Sequence, residues 1–112
     1  MPFDPRSSLA QLLSDVARRA ARYAAEAEQR HTAPLHEDVA RLETLATTFP
    51  HDPTEPAEVL ALLDEIGSPA TLASTGRRYF GYVTGGVLPA ALAANWMAGA
   101  WDQNAYHSAL VE

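Results

Sequence analysis

The chain has 112 residues, 47% of them hydrophobic, and a formal net charge of −6, which suits one small domain or a portion of a larger one and excludes disorder by composition. The acidic balance argues against nucleic acid or an anionic membrane as the main partner. All eight basic residues are arginine and there is no cysteine, so a Schiff base to a side-chain amine, a phosphate-loop lysine, a disulfide, a thiolate metal site and a cysteine nucleophile are all excluded.

The first predicted element is a helix running to about Arg30. Ser8 with Gln11 forms a possible capping box, and Asp4-Pro5 offers a start one turn earlier. Leu9, Leu13, Val16, Ala20, Tyr23 and Ala27 recur at steps of four and three, which is one apolar stripe. Arg18, Arg19, Arg22 and Glu26 fall off the stripe and read as a solvated face. Pro34 interrupts. A second helix is expected from His36 or Glu37 to Ala46, with Val39, Leu42 and Leu45 on one side. FPHDPTEP, residues 49–56, reads as a loop by its three prolines. Thr54 or Asp52 then caps a third helix, which buries Val59, Leu60, Leu62, Leu63 and Ile66. Gly67 is placed to end it in a left-handed conformation, and Ser68-Pro69 opens a further short turn through Ala73.

The character changes at Ser74. Residues 74–78 read as loop, Tyr79 to Val83 as a short extended run, and Thr84-Gly85-Gly86 as a turn. Pro89 suits the first position of a helix reaching about Asn104. The start, MPFDPRSS, has no basic segment followed by an apolar run, so no signal peptide is expected. The apolar-rich run from Val87 to Trp101 is shorter than the ~20 residues that a membrane span needs. A cytoplasmic protein is the reading.

Few residues carry chemistry. The double glycine before a helix is either an ordinary tight turn or an anion cradle, without the lysine or the GxGxxG pattern that would favour the second. His31 and His36 straddle Pro34 five residues apart, not at helical ligand spacing, and His51 and His107 also lie in or near loops; no metal site is expected. No close carboxylate pair suggests acid–base work. Asp102 follows Trp101 in apolar surroundings, as a polar anchor for the helix end or as an interface contact. The helix from Pro89 is narrow with alanine and carries Leu92, Trp96, Met97 and Trp101 on nearly every side. A helix that is apolar all round is a buried helix, and this chain has few elements with which to wrap it.

The run GSPATLASTGRRYFGYVTGGVLPAALAANWMAGAWDQNA, Gly67 to Ala105, resembles the N-terminal region of pyridoxal-phosphate-dependent group II amino-acid decarboxylases, the aromatic-L-amino-acid, glutamate and tyrosine decarboxylases among them. The aromatic-Gly-aromatic step, the glycine turn and the alanine-rich helix started by proline carry the resemblance. It is strong after residue 52 and weak before. It implies a mainly α fold: the N-terminal helical segment of a fold-type-I enzyme, with a short extended stretch near 79–83 and no complete α/β domain. Residues 1–73 would be dimer-wrapping helices, and 74–112 a pocket-lining loop plus a buried helix, the start of a cofactor domain. Tyr82, Val83 and Thr84 would line the substrate pocket with Tyr79 and Phe80 behind them, while Leu9, Leu13, Val16, Tyr23, Trp96 and Trp101 would face a second subunit or the catalytic domain. The parent enzyme would be a homodimeric lyase with pyridoxal phosphate as electron sink. The cofactor lysine is absent, so the chain is expected to be an inactive fragment. Many family members have His-Pro where this chain has Gly76-Arg77, which leaves the substrate amino acid open. The alternative from another class is a small, non-catalytic helical module that binds a protein partner. It has no need of Tyr79-Phe80-Gly81-Tyr82 followed by Gly85-Gly86.

Overall fold

The computed structural model describes residues 5–82 and 86–103. It is mainly helical, with no strand among the described residues. The chain divides into two compact units, one ending at Tyr82 and the other beginning at Val83.

In the first unit, helix α1 spans Pro5–Glu26, so the start is at Pro5 and not at Ser8. Proline is well placed there because its missing N–H has no partner in a first turn anyway. The helix stops at Glu26, short of Arg30, and the N–H groups of Gln29 and Arg30 close a turn on the Glu26 carbonyl at 2.9 and 3.2 Å. Helix α2 covers only His36–Ala40 and tightens at once into a 3-10 turn, Arg41–Leu45. Helix α3, Pro56–Leu62, begins at proline after Glu55, with no side-chain cap, so neither Thr54 nor Asp52 caps it. A π-helical turn, Leu63–Gly67, and a 3-10 turn, Ser68–Ala70, continue its course.

Gly67 does not end this helix. Its backbone is right-handed, φ −79° and ψ −44°, because Ser68-Pro69 begins the next turn in the same helical sense. The chain leaves helical geometry at Thr71, with ψ 157°. The run at 79–83, expected to be extended, forms no strand over its described part. No neighbouring strand offers its backbone a ladder, and the Tyr79 N–H instead closes a turn on the Gly76 carbonyl at 3.2 Å.

The core of this unit is slight. Among the described residues only Ala27, Ile66 and Ala73 are buried hydrophobics, while Leu9 and Leu13 remain 51% and 45% exposed. Polar contacts rather than apolar volume hold the C-terminal half of α1 to the turns around Asp64 and Thr71.

In the second unit, helix α4 spans Pro89–Trp101, three residues shorter than the sequence suggests. Leu88 before the proline is extended, as the proline ring requires of its predecessor. Asp102 closes the helix in the left-handed region, φ 50°, with its N–H on the Ala98 carbonyl at 3.2 Å. Aspartate is one of the few residues other than glycine that enters this region readily, so Asp102 serves as the polar end of the helix. No residue of α4 is buried. None of the described helices is long and apolar enough to cross a membrane.

Candidate functional site

The best-ordered polar assembly of the first unit centres on Asp64. The π-helical turn that carries it sets Asp64 towards α1 and Ile66 into the core; widened turns of this kind often re-aim side chains at sites of contact or function. Arg19 Nη1 and Arg22 Nη2 both donate to Asp64 Oδ2, at 2.9 and 2.7 Å, and Ser68 Oγ donates to Oδ1 at 2.6 Å. Arg19 also meets Asp15 through Nε at 3.0 Å, one turn back on α1. The Ser68 hydroxyl, followed by the two arginines, holds the Asp64 carboxyl below its ordinary value of 3.8 against partial desolvation. Arg19 is driven further towards its charged form, first by Asp15 and then by Asp64. Both ions are thus fixed in charge, which makes Asp64 an anchor and not a base.

Arg19 and Arg22 are therefore not a merely solvated face. One of them is half-buried, and both tie α1 to the segment after α3. The signal was present in the sequence: two arginines three apart share a helix face, and Asp64 is one of three acids, with Glu58 and Glu65, in the otherwise apolar run Pro56–Gly67. What the sequence lacks is any mark of the π-helical turn that brings the two together.

Below this cluster Tyr23 donates to or accepts from Thr71 Oγ1 at 2.6 Å, and its ring carries the Arg30 guanidinium 5.0 Å above its centroid. Arg30 in turn donates to the carbonyls of Pro69 and Thr71 at 3.2 and 3.1 Å. An open groove of about 740 Å³ runs between these groups, with Pro34, Leu35 and Ala61 on its apolar side. Its three arginines are already engaged by a carboxylate or by carbonyls, so it offers no ready cradle for a phosphate or a substrate carboxylate.

The third element is the arginine pair before the aromatic step. Arg78 Nη2 donates to the Glu28 and Arg30 carbonyls at 2.9 and 2.8 Å, satisfying groups just past the end of α1. Arg77 meets the Glu28 carboxylate through its backbone N–H at 3.1 Å and its Nε at 3.2 Å. Gly76 allows this approach: a Cβ there would lie 3.0 Å from the Ala27 carbonyl oxygen. Residues 74–82, which the sequence groups with the glycine turn and the last helix, are in this way fastened to the first helix. From that anchored base Phe80 and Tyr82 project into solvent, 91% and 88% exposed, while Tyr79 is half-buried with its phenol over Gly81.

Of the residues assigned to a substrate pocket, Tyr79, Phe80 and Tyr82 lie together on this segment, and Val83 and Thr84 lie outside the described residues. Among those assigned to an interface, Leu9 and Leu13 are exposed, Val16 is half-buried, and Tyr23 is engaged within its own unit by Thr71 and Arg30. Trp96 and Trp101 both stand exposed on α4. Among the described residues no group of three His, Asp or Glu side chains converges to hold a metal. The chain matches no protein-family model, no curated protein and no solved structure.

Proposed function

We propose that this chain is the N-terminal portion of a cytoplasmic, pyridoxal-phosphate-dependent amino-acid decarboxylase, inactive by itself and completed by a catalytic domain and a second subunit. The observation that supports it is the anchored Arg77-to-Tyr82 segment, whose exposed aromatic step is followed by the wholly exposed apolar helix α4. An aromatic strip tied by arginines to a helix end suits one wall of a pocket whose other walls come from elsewhere. The chain contains no lysine, and the arginines of its groove are already engaged, so no step of the reaction is assigned to it. Its part would be to shape the substrate side-chain pocket through Tyr82, Val83 and Thr84.

A non-catalytic helical interaction module draws equal support from the exposed leucines of α1 and the exposed surface of α4, and none from the aromatic-glycine step. Reading about a kilobase of coding DNA beyond the Glu112 codon separates the two. A large α/β domain bearing a lysine, in any frame or in a neighbouring gene, supports the decarboxylase portion. If only unrelated sequence lies there, the decarboxylase proposal fails and the interaction module takes its place.

A further inference from the structure

The loop FPHDPTEP joins the 3-10 turn after α2 to α3, and neither the fold nor the proposed function uses it. Its prolines, Pro50, Pro53 and Pro56, recur every third residue. Three residues make one turn of a polyproline II helix, so in that conformation the three rings fall along a single edge. Each ring fixes its own φ, and each biases the residue before it, here Phe49, Asp52 and Glu55, towards the same extended region. Six of the eight positions are thereby predisposed, leaving His51 and Thr54. Glu55 already has φ −58° and ψ 132°, close to polyproline II values.

The loop is also unclaimed by its own chain. Every residue from 41 to 59 is exposed, and Phe49 is 97% exposed. Among the described residues, no hydrogen bond involves 47–54. The backbone turns at His51 and Asp52, so full polyproline II geometry requires straightening there, with no packing or hydrogen bond to give up. A loop that only connected two helices would have no use for a phenylalanine presented to water. Asp52, Glu55 and Glu58 give the segment a negative edge, and it carries no arginine.

We infer that Phe49–Pro56 is a recognition segment that lies as a polyproline II strand in the aromatic-lined groove of a partner protein with a basic rim. The low ordering cost of a preset polyproline strand is what such grooves exploit. Phe49, Asp52 and Glu55 share one edge of that strand and the three prolines another; Phe49 serves as the anchor with Pro50 and Pro53 between the aromatic rings, and the two acids continue the Phe49 edge along the basic rim. This inference is independent of the decarboxylase reading.

The test uses the full ¹⁵N-labelled chain titrated with an isolated EVH1 domain of basic groove rim. Saturable shifts confined to the amides of Phe49, His51, Asp52, Thr54, Glu55 and their neighbours are expected. Phe49→Ala and Pro53→Ala should each weaken binding about tenfold or more, as loss of a central anchor does, while the far-ultraviolet circular dichroism stays unchanged. Asp52→Lys with Glu55→Lys should weaken binding and remove its salt dependence. Absence of saturable shifts up to millimolar domain, or shifts that survive Phe49→Ala and Pro53→Ala, overturns the inference.

Discussion

Replacing Asp64 by Asn removes one negative charge and nearly nothing else. The amide keeps one acceptor oxygen, so two arginines and a serine that now share a carboxylate at 2.6–2.9 Å lose most of their common partner. The Asp64 side chain is 13% exposed, which strengthens its hydrogen bonds, whereas Arg22 at 59% lets water screen that part of the cluster. Charge-assisted hydrogen bonds are worth more than neutral ones and exposed ion pairs little, which places the whole loss at about 1–2 kcal/mol. With a urea slope near ~1.5 kcal/mol/M for a chain of this size, the midpoint should fall by about 1 M. The sign with pH comes from the carboxyl's depressed pKa. Its stabilisation is fully present above the ordinary value of 3.8 and is lost as pH falls below that towards the folded value. Urea titrations followed at 222 nm, at low micromolar chain and at pH 7 and then below 3.8, should show a gap between the native chain and Asp64→Asn that closes in acid. An unchanged midpoint at pH 7, or a gap that persists undiminished in acid, would refute the view that Asp64 ties α1 to the turn after α3.

Ile66→Ala should cost about 2–3 kcal/mol, the lower part of the usual range because so slight a core can collapse around the gap; thermal unfolding reads this, and a loss under 1 kcal/mol would mean that Ile66 is not a core residue. Gly76→Ala places a methyl 3.0 and 3.3 Å from two backbone oxygens. It should destabilise by about 1 kcal/mol and raise amide exchange at Arg77 and Tyr79; exchange as slow as in the native chain contradicts the close approach. Gly81→Ala should leave stability nearly unchanged, because what a Cβ meets there is the movable far end of Tyr79, but it should shift the Tyr79 ring resonances. The exposed apolar surface of α4 is expected to make the chain self-associate, and Leu92→Glu with Met97→Glu should lower that association at least tenfold by sedimentation. Equal association in both chains would place the sticky surface elsewhere.

Apolar periodicity in the sequence was enough to find α1, α2 and α3, because a stripe at steps of three and four has few other uses, whereas α4, apolar on nearly every side, was marked by Pro89. The helix start at Pro89 and the ring-imposed extension of Leu88 come from proline chemistry alone, whereas the start at Pro56 displaced the expected caps Thr54 and Asp52. The exclusion of a Schiff base to a side-chain amine comes from composition alone, since the chain has no lysine. Tertiary structure decided the rest. It allowed Gly67 to stay right-handed, because the ends of helices depend on what the chain does next and not on glycine's freedom by itself. It made Arg19 and Arg22 partners of Asp64 across more than forty residues of sequence, a pairing that a π-helical turn creates and no local pattern announces. It fastened Arg77 and Arg78 to the end of α1, where carbonyls just beyond the helix needed donors. Composition could foretell that α4 is apolar on all sides; only the folded chain shows that none of its residues is buried, because its own unit holds no other described helix to cover it.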